Sequence, residues 1–219
     1  MKYKDRVHLL SSARMNKYEV ACGRNKTKTI QLYHYNMKLS QRFYGIIGMF
    51  EVIVRNLINE HYIKQFGTDW IVSQASTGLL LEHDAVEIHN IEMAYKSTGT
   101  YSHDKMVASL HFGFWTSLFT RRNYRVGGKT LLQIFPSKAH GVNQKRIYED
   151  LSSIREFRNR IAHHEPICFD SLHAISTAYA RNLYSLIFTY VEYMGYDPNS
   201  IFQGVEKPDK ILAKIDNLK

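Results

Sequence analysis

From about Ile30 to Phe66 the chain carries one apolar stripe, Phe43, Ile47, Phe50, Val54 and Leu57, at spacings of three and four with little interruption. That spacing keeps one face of an α-helix apolar over many turns, so the segment can be buried only as a long helix against other elements. Gly67 ends it. The flanking text predicts further helices to cover the stripe. Residues 5–21 read as one or two short helices ending near Gly23, followed by a polar basic loop, "CGRNKTKT". Residues 79–96 read as a helix stopped by "STGT". Ser102 is placed as an N-cap with Asp104 in the first turn, and "MVASLHFGFWTSLF" follows as helix with a bend at Gly113. "VGGK" is a loop. Asn143 caps a helix running to His163 or His164, where Pro166 ends it. A last long helix is expected from about Ser171 to Met194, then a short C-terminal one. No internal repeat and no alternating pattern is present. The expectation is a single all-α domain, a helical bundle.

Composition agrees with a packed core: 219 residues, 44% hydrophobic and 13% aromatic, with only four prolines and twelve glycines. Two cysteines, Cys22 and Cys168, give neither a disulfide framework nor metal spacing, and fit a reducing compartment. "MKYKDRVHLL" lacks the apolar core of a signal peptide. The longest apolar run, "YGIIGMFEVIV", is broken by Glu51 and is too short to span a bilayer. A soluble, cytoplasmic chain with no membrane partner is expected. The remaining histidines show no zinc spacing, and "VGGKT" follows no buried strand and lacks the upstream glycine of a phosphate loop. No cofactor and no metal site is expected.

The net charge of +9 points to a polyanion. Between Asp104 and Glu149 there is no acidic residue, while Lys105, Arg121, Arg122, Arg125, Lys129, Lys138, Lys145 and Arg146 fall in that interval. In "TRRNYRVGGKT", Tyr124 lies between arginines, and two glycines let backbone approach a ligand. Arginine and lysine neutralise phosphates, and an aromatic ring offers an unpaired base a stacking face. RNA is therefore the expected partner of Arg121, Arg122, Tyr124, Arg125, Lys129, Lys145 and Arg146. A solvated basic loop that binds nothing specific is the competing account.

The stretch "REFRNRIAHHEPI" adds Arg155, Arg158 and Arg160 to two adjacent histidines. On a helical wheel Ile147, Leu151, Ile154, Phe157 and Ile161 form an apolar stripe, and Glu156, Asn159 and His163 share the opposite face. Arg158 falls on the flank of the stripe, and His164 lies near Arg160. An imidazole can give and take a proton near neutral pH, and a guanidinium can hold a phosphate and stabilise transition-state charge. Histidine and arginine without a carboxylate cluster suit metal-independent RNA cleavage, in which the 2′-hydroxyl is the internal nucleophile. For Arg158 alone, pairing with Glu51 or Glu60 between packed helices is the structural alternative, and for His163 it is capping of its helix. His164 competes for the proton-moving role, because a helix end is uncertain by a residue or two.

"RNRIAH", Arg158 to His163, resembles the signature of HEPN domains, which are helical bundles and, in many cases, metal-independent RNases whose active site forms across a dimer. The order "LY-x-x-N-x-x-LS", then "E-V-x-x-RN", a tryptophan at "FGTDW", "FGFWTSLF" and "FRNRIAHHEPI" is similar to that of the Abi-like, abortive-infection proteins of bacteria. The likeness covers about residues 8–190. It implies a HEPN-like bundle with extra N- and C-terminal helices and a phage-defence endoribonuclease. It also implies Arg158, Asn159 and His163 as catalytic residues in a homodimer. Arg155 and Arg160 are expected to contact RNA beside them. A non-catalytic RNA-binding or sensing module, holding a small RNA, is the second reading, and a module neutralised by an antitoxin protein is the third. Arg55, Asn56 and His61 satisfy the loose signature as well. There, His61 continues an apolar stripe and Arg55 lies four residues after Glu51, the spacing of a local ion pair.

Overall fold

The computed structural model describes residues 2–77 and 80–219, and over these residues the protein is all-α, with no strand. In chain order the helices are α1 (Tyr3–Leu10), α2 (Ser12–Ala21), α3 (Lys26–Phe66), α4 (Trp70–Ser76), α5 (Ala85–Ser97) and α6 (His103–Ser109). Then come α7 (Phe112–Ser117), α8 (Arg121–Val126), α9 (Gln144–Ala162), α10 (Ala178–Tyr193), α11 (Pro198–Ile201) and α12 (Asp209–Asp216). No helix among the described residues is long and apolar enough to cross a membrane.

The long helix α3 starts four residues before its expected position. Asn25 Oδ1 accepts the Lys28 N–H at 3.0 Å, and the Asn25 carbonyl accepts the Thr29 hydroxyl at 2.8 Å. This cap draws "KTKT" into the helix and leaves only a short turn before it. At the other end Gly67, at φ +91°, stops α3 where expected. The stretch after it is helical at α4, which the sequence pattern did not predict. The expected start of the next helix at 79 lies outside the described residues, and α5 is helical from Ala85.

Ser102 caps α6 as expected, accepting the Lys105 N–H at 3.2 Å. The break that follows falls at Leu110 and His111, both extended, rather than at Gly113. His111 Nδ1 accepts the Phe114 N–H at 3.0 Å and so caps α7. A Cβ on Gly113 would lie 2.8 Å from both Cε1 and Nδ1 of that ring. Gly113 is therefore the space in which the capping imidazole sits. Gly113→Ala is expected to displace the ring and to cost about 1 kcal/mol, the usual worth of a cap. An unchanged midpoint in urea unfolding would show that the ring does not cap.

The segment before α10 differs most from expectation. Residues 167–177 are not helical, because Asp170 takes their backbone donors. Its Oδ1 accepts the N–H groups of Leu172 and Ala174 at 2.9 Å each, and its own N–H bonds the Ala174 carbonyl at 3.0 Å. A β-bridge pairs Phe169 with Ile175, and His173 turns the chain at φ +62°. Aspartate used this way competes with helix formation.

Contacts gather into two compact units. The first comprises Met1–Gly48, Glu156–Phe188 and Phe202–Lys219. Its core is built on Phe43, Phe157, Leu183 and Leu212, with Phe157 edge-on to both Phe43 and Tyr179. The second comprises Met49–Arg155 and Thr189–Ile201, built on Phe50, Tyr62, Trp70, Trp115, Phe119 and Tyr190.

The second unit also buries a polar chain. Trp70 Nε1 donates to Asn59 Oδ1 at 2.8 Å, and His103 Nε2 lies 2.8 Å from the same oxygen. An amide oxygen only accepts, so His103 carries its proton on Nε2. Its Nδ1 is then an acceptor, buried without a hydrogen-bond partner and 3.7 Å from Asp69. Burial holds His103 below the ordinary 6.5, and burial with Lys64 does the same for His61. Both imidazoles thus charge more readily in the unfolded chain. Their stability contribution is present above pH 6.5 and is lost as pH falls below it. Urea unfolding at pH 7.5 and 5.5 is expected to show the loss at the lower pH, and His103→Gln to shrink it.

Candidate active site

The α9 helix presents its two faces as the wheel requires. Ile147, Leu151, Ile154, Phe157 and Ile161 are all buried, while Glu156, Asn159 and His163 are exposed. Asn143 caps its start, accepting the Arg146 N–H at 3.1 Å. The end is a Schellman turn. The Glu165 N–H bonds the Arg160 carbonyl at 2.8 Å, and the His164 N–H bonds that of Ile161 at 3.0 Å. His164 takes the left-handed position at φ +55°, which glycine more often occupies.

This geometry distinguishes the two histidines. The His163 backbone N–H still bonds the Asn159 carbonyl at 2.9 Å, so His163 stays in helical register with Asn159. His164 is the residue that turns the chain out of the helix. Neither the His163 imidazole nor the Asn159 amide has a partner among the described residues, and both face solvent. Arg158 is half-buried and is engaged by other groups of the protein.

Two arginines hold the turn in place. Arg14, on α2, donates from Nη1 to the His164 carbonyl, and Arg160 donates from Nη2 to the Pro166 carbonyl, each at 2.5 Å. Further on, the buried Asn36 of α3 accepts the Ile167 N–H at 2.8 Å. No sequence spacing marks Arg14 or Asn36 as supports of this end of α9, since they lie more than a hundred residues away. Arg160 also lies over the Tyr179 ring at 5.8 Å and 3.6 Å from Glu165, which leaves it little freedom to track RNA. Arg155 is half-buried, its guanidinium near the backbone of Gly113.

In the second unit "TRRNYR" is helix α8 rather than loop. Thr120 caps it through the Asn123 N–H. Arg121, Arg122, Arg125 and Lys129 line one open concavity of about 670 Å³, together with Val126. The interval free of acids in sequence is not free of them in space, because Arg122 pairs with Glu82. Lys145 faces Glu149 at 3.8 Å and Arg146 holds Asp150 at 2.8 Å, each one helical turn on. Arg121, Arg125 and Lys129 have no ion-pair partner among the described residues. Tyr124 is half-buried, and its hydroxyl donates to the Lys129 carbonyl, closing the turn after α8. The two glycines there serve the protein itself. A Cβ on Gly127 would lie 2.6 Å from the Tyr62 hydroxyl, and Gly128 takes φ +85°.

The second arginine–histidine set behaves as a packing feature. His61 is half-buried and shares a 3.0 Å hydrogen bond with Thr130, while Arg55 Nε is buried without a hydrogen-bond partner among the described residues. Both cysteines are free and buried, and burial pushes the Cys168 thiol up to about 12, far from nucleophilic use. Among the described residues no group of three His, Cys, Asp or Glu is placed to hold a metal ion.

No family model, curated protein or solved structure matches this chain.

Proposed function

We propose that this protein is a HEPN-type, metal-independent endoribonuclease of the abortive-infection kind, acting in the cytoplasm as a phage-defence toxin. The reading rests on one observation above the others. Asn159 and His163 stand exposed one helical turn apart, without side-chain partners among the described residues, beside Arg158, at a helix end braced by Arg14 and Arg160. An Asn159 amide or His163 imidazole that only packed or capped would be buried or bonded.

In the proposed reaction the 2′-oxygen of a nucleotide attacks the adjacent phosphorus, and the bond from phosphorus to the 5′-oxygen breaks. The 2′-hydroxyl proton goes to a base and a proton is delivered to the leaving 5′-oxygen. The products are a 2′,3′-cyclic phosphate and a 5′-hydroxyl. Arg158 contacts the scissile phosphate, His163 moves one proton and Asn159 orients one of them. One histidine per chain handles one of the two transfers, so two protomers pool their residues in a homodimer around α9. Arg121, Arg125 and Lys129, with Arg122, hold RNA phosphates.

The test is RNA cleavage by purified protein in EDTA, with the product ends identified. Cyclic or 3′-phosphate ends are the expected result, and intact RNA across varied substrates would sink the reading. The α8 concavity, with three unpaired cations, favours a second reading in that event, an RNA-binding module that holds a small RNA. Binding that falls steeply with salt and yields no product identifies it. Tight, salt-resistant binding to a protein would instead point to an antitoxin partner.

A further inference from the structure

A half-open cavity of about 730 Å³ lies in the first unit, lined by neither Asn159 nor His163, within the ~300–1,000 Å³ typical of small-ligand sites. Four separate segments reach it. Lys17 comes from α2, Arg160 from the last turn of α9, Ser171 and His173 from the 167–177 turn, and Asn182 from α10. Its walls are fixed by bonds already described. Arg160 is tied to Pro166, and the Asp170 carboxylate is occupied by the N–H groups of Leu172 and Ala174. A preformed wall lowers the ordering cost of binding.

The polar groups that face this space are mostly unspent. Lys17 has no ion-pair partner among the described residues, and the Ser171 hydroxyl and Asn182 amide have no hydrogen-bond partner there. Of the two acids at the cavity, Asp170 is engaged as above, and Glu165 lies 3.6 Å from Arg160 and offsets that charge. The Lys17 ammonium is the charge left over. The rest of the lining includes Phe169, Pro166 and the Tyr179 ring.

An unpaired cation and several neutral donors against an aromatic and proline wall suit a ligand that is anionic at one end and flat at the other. We propose that this cavity binds a nucleotide through its phosphate. Lys17 meets the anion, Ser171, His173 and Asn182 surround it, and the Phe169–Tyr179 wall receives the base. The ligand is a free mononucleotide or the phosphate-bearing end of an RNA, since both present the same chemistry. The site goes beyond the ribonuclease reading and stands apart from it, because it requires no cleavage.

The experiment is calorimetric titration of the full chain with 3′-AMP and with adenosine. Saturable one-to-one binding of 3′-AMP is expected, with adenosine at least tenfold weaker. Lys17→Glu, at an exposed position, is expected to weaken 3′-AMP at least tenfold with an unchanged melting temperature, and Asn182→Asp to weaken it as well. His163→Ala is expected to bind as the parent does. An inactive ribonuclease that still binds 3′-AMP leaves this site standing, and an active one that does not bind removes it alone. Competition in the His163→Ala background separates the two sources. Displacement by a short oligoribonucleotide ending in a 3′-phosphate, but not by its 3′-hydroxyl counterpart, assigns the RNA end. Displacement by mononucleotides only assigns the free ligand. Absence of saturable binding, equal affinity for adenosine, or indifference to both Lys17→Glu and Asn182→Asp would overturn the proposal.

Discussion

His163→Ala is expected to lower RNA cleavage roughly 10²–10⁴-fold, the usual worth of a positioned general acid or base, with thermal stability unchanged. The side chain is exposed and unpartnered among the described residues, and its backbone role is served by any residue, so alanine removes only the imidazole. The adjacent His164→Gly is expected to do the opposite. At φ +55° a non-glycine residue costs roughly 1–2 kcal/mol. Glycine there should raise the unfolding midpoint and leave cleavage intact. Paired urea-unfolding and single-turnover cleavage measurements read both effects. Loss of cleavage in the His164 variant alone would exchange the roles of the two residues. A large stability loss in His163→Ala would return that residue to a structural part.

The second large effect is expected at Phe157. Its ring is fully buried, edge-on to Phe43 at 4.9 Å and to Tyr179 at 5.4 Å. Phe157→Ala removes the ring from between two aromatic partners and leaves a cavity, for roughly 3–5 kcal/mol. Because Phe157 precedes Arg158 on α9, cleavage should fall with stability, at temperatures where the parent remains folded. Urea unfolding with a midpoint shift worth less than about 1 kcal/mol would mean that the helix is held elsewhere.

What could be read in the sequence was what a local period encodes. The stripes of α3 and α9 were visible because core burial repeats every three to four residues, and Ser102 and Asn143 because an N-cap is a local hydrogen bond. Where a side chain competes with the helix for backbone donors, the period misleads. Asp170 does so across five residues, delaying α10 to Ala178, and His111, not the nearby glycine, sets the α6–α7 break. The charged segment differs from expectation for another reason. Glu82 is distant from Arg122 in sequence and adjacent in space, so counting acids along the chain overstated the free charge. The face shared by Asn159 and His163 was legible. The supports from Arg14 and Asn36, and the cavity that Lys17 shares with Asn182, were not, since nothing in a one-dimensional pattern brings such distant residues together.

The contact from Arg14 to the His164 carbonyl spans 150 positions of chain. The ribosome makes α2 before the end of α9, so the brace cannot form until both segments have been made. A chain that stops before Arg158 lacks the motif. A product initiated downstream of α2 would carry Arg158, Asn159 and His163 complete and yet lack one of the two arginines that hold their helix end. For a protein whose proposed activity harms the cell that makes it, such dependence ties full potency to synthesis of both segments.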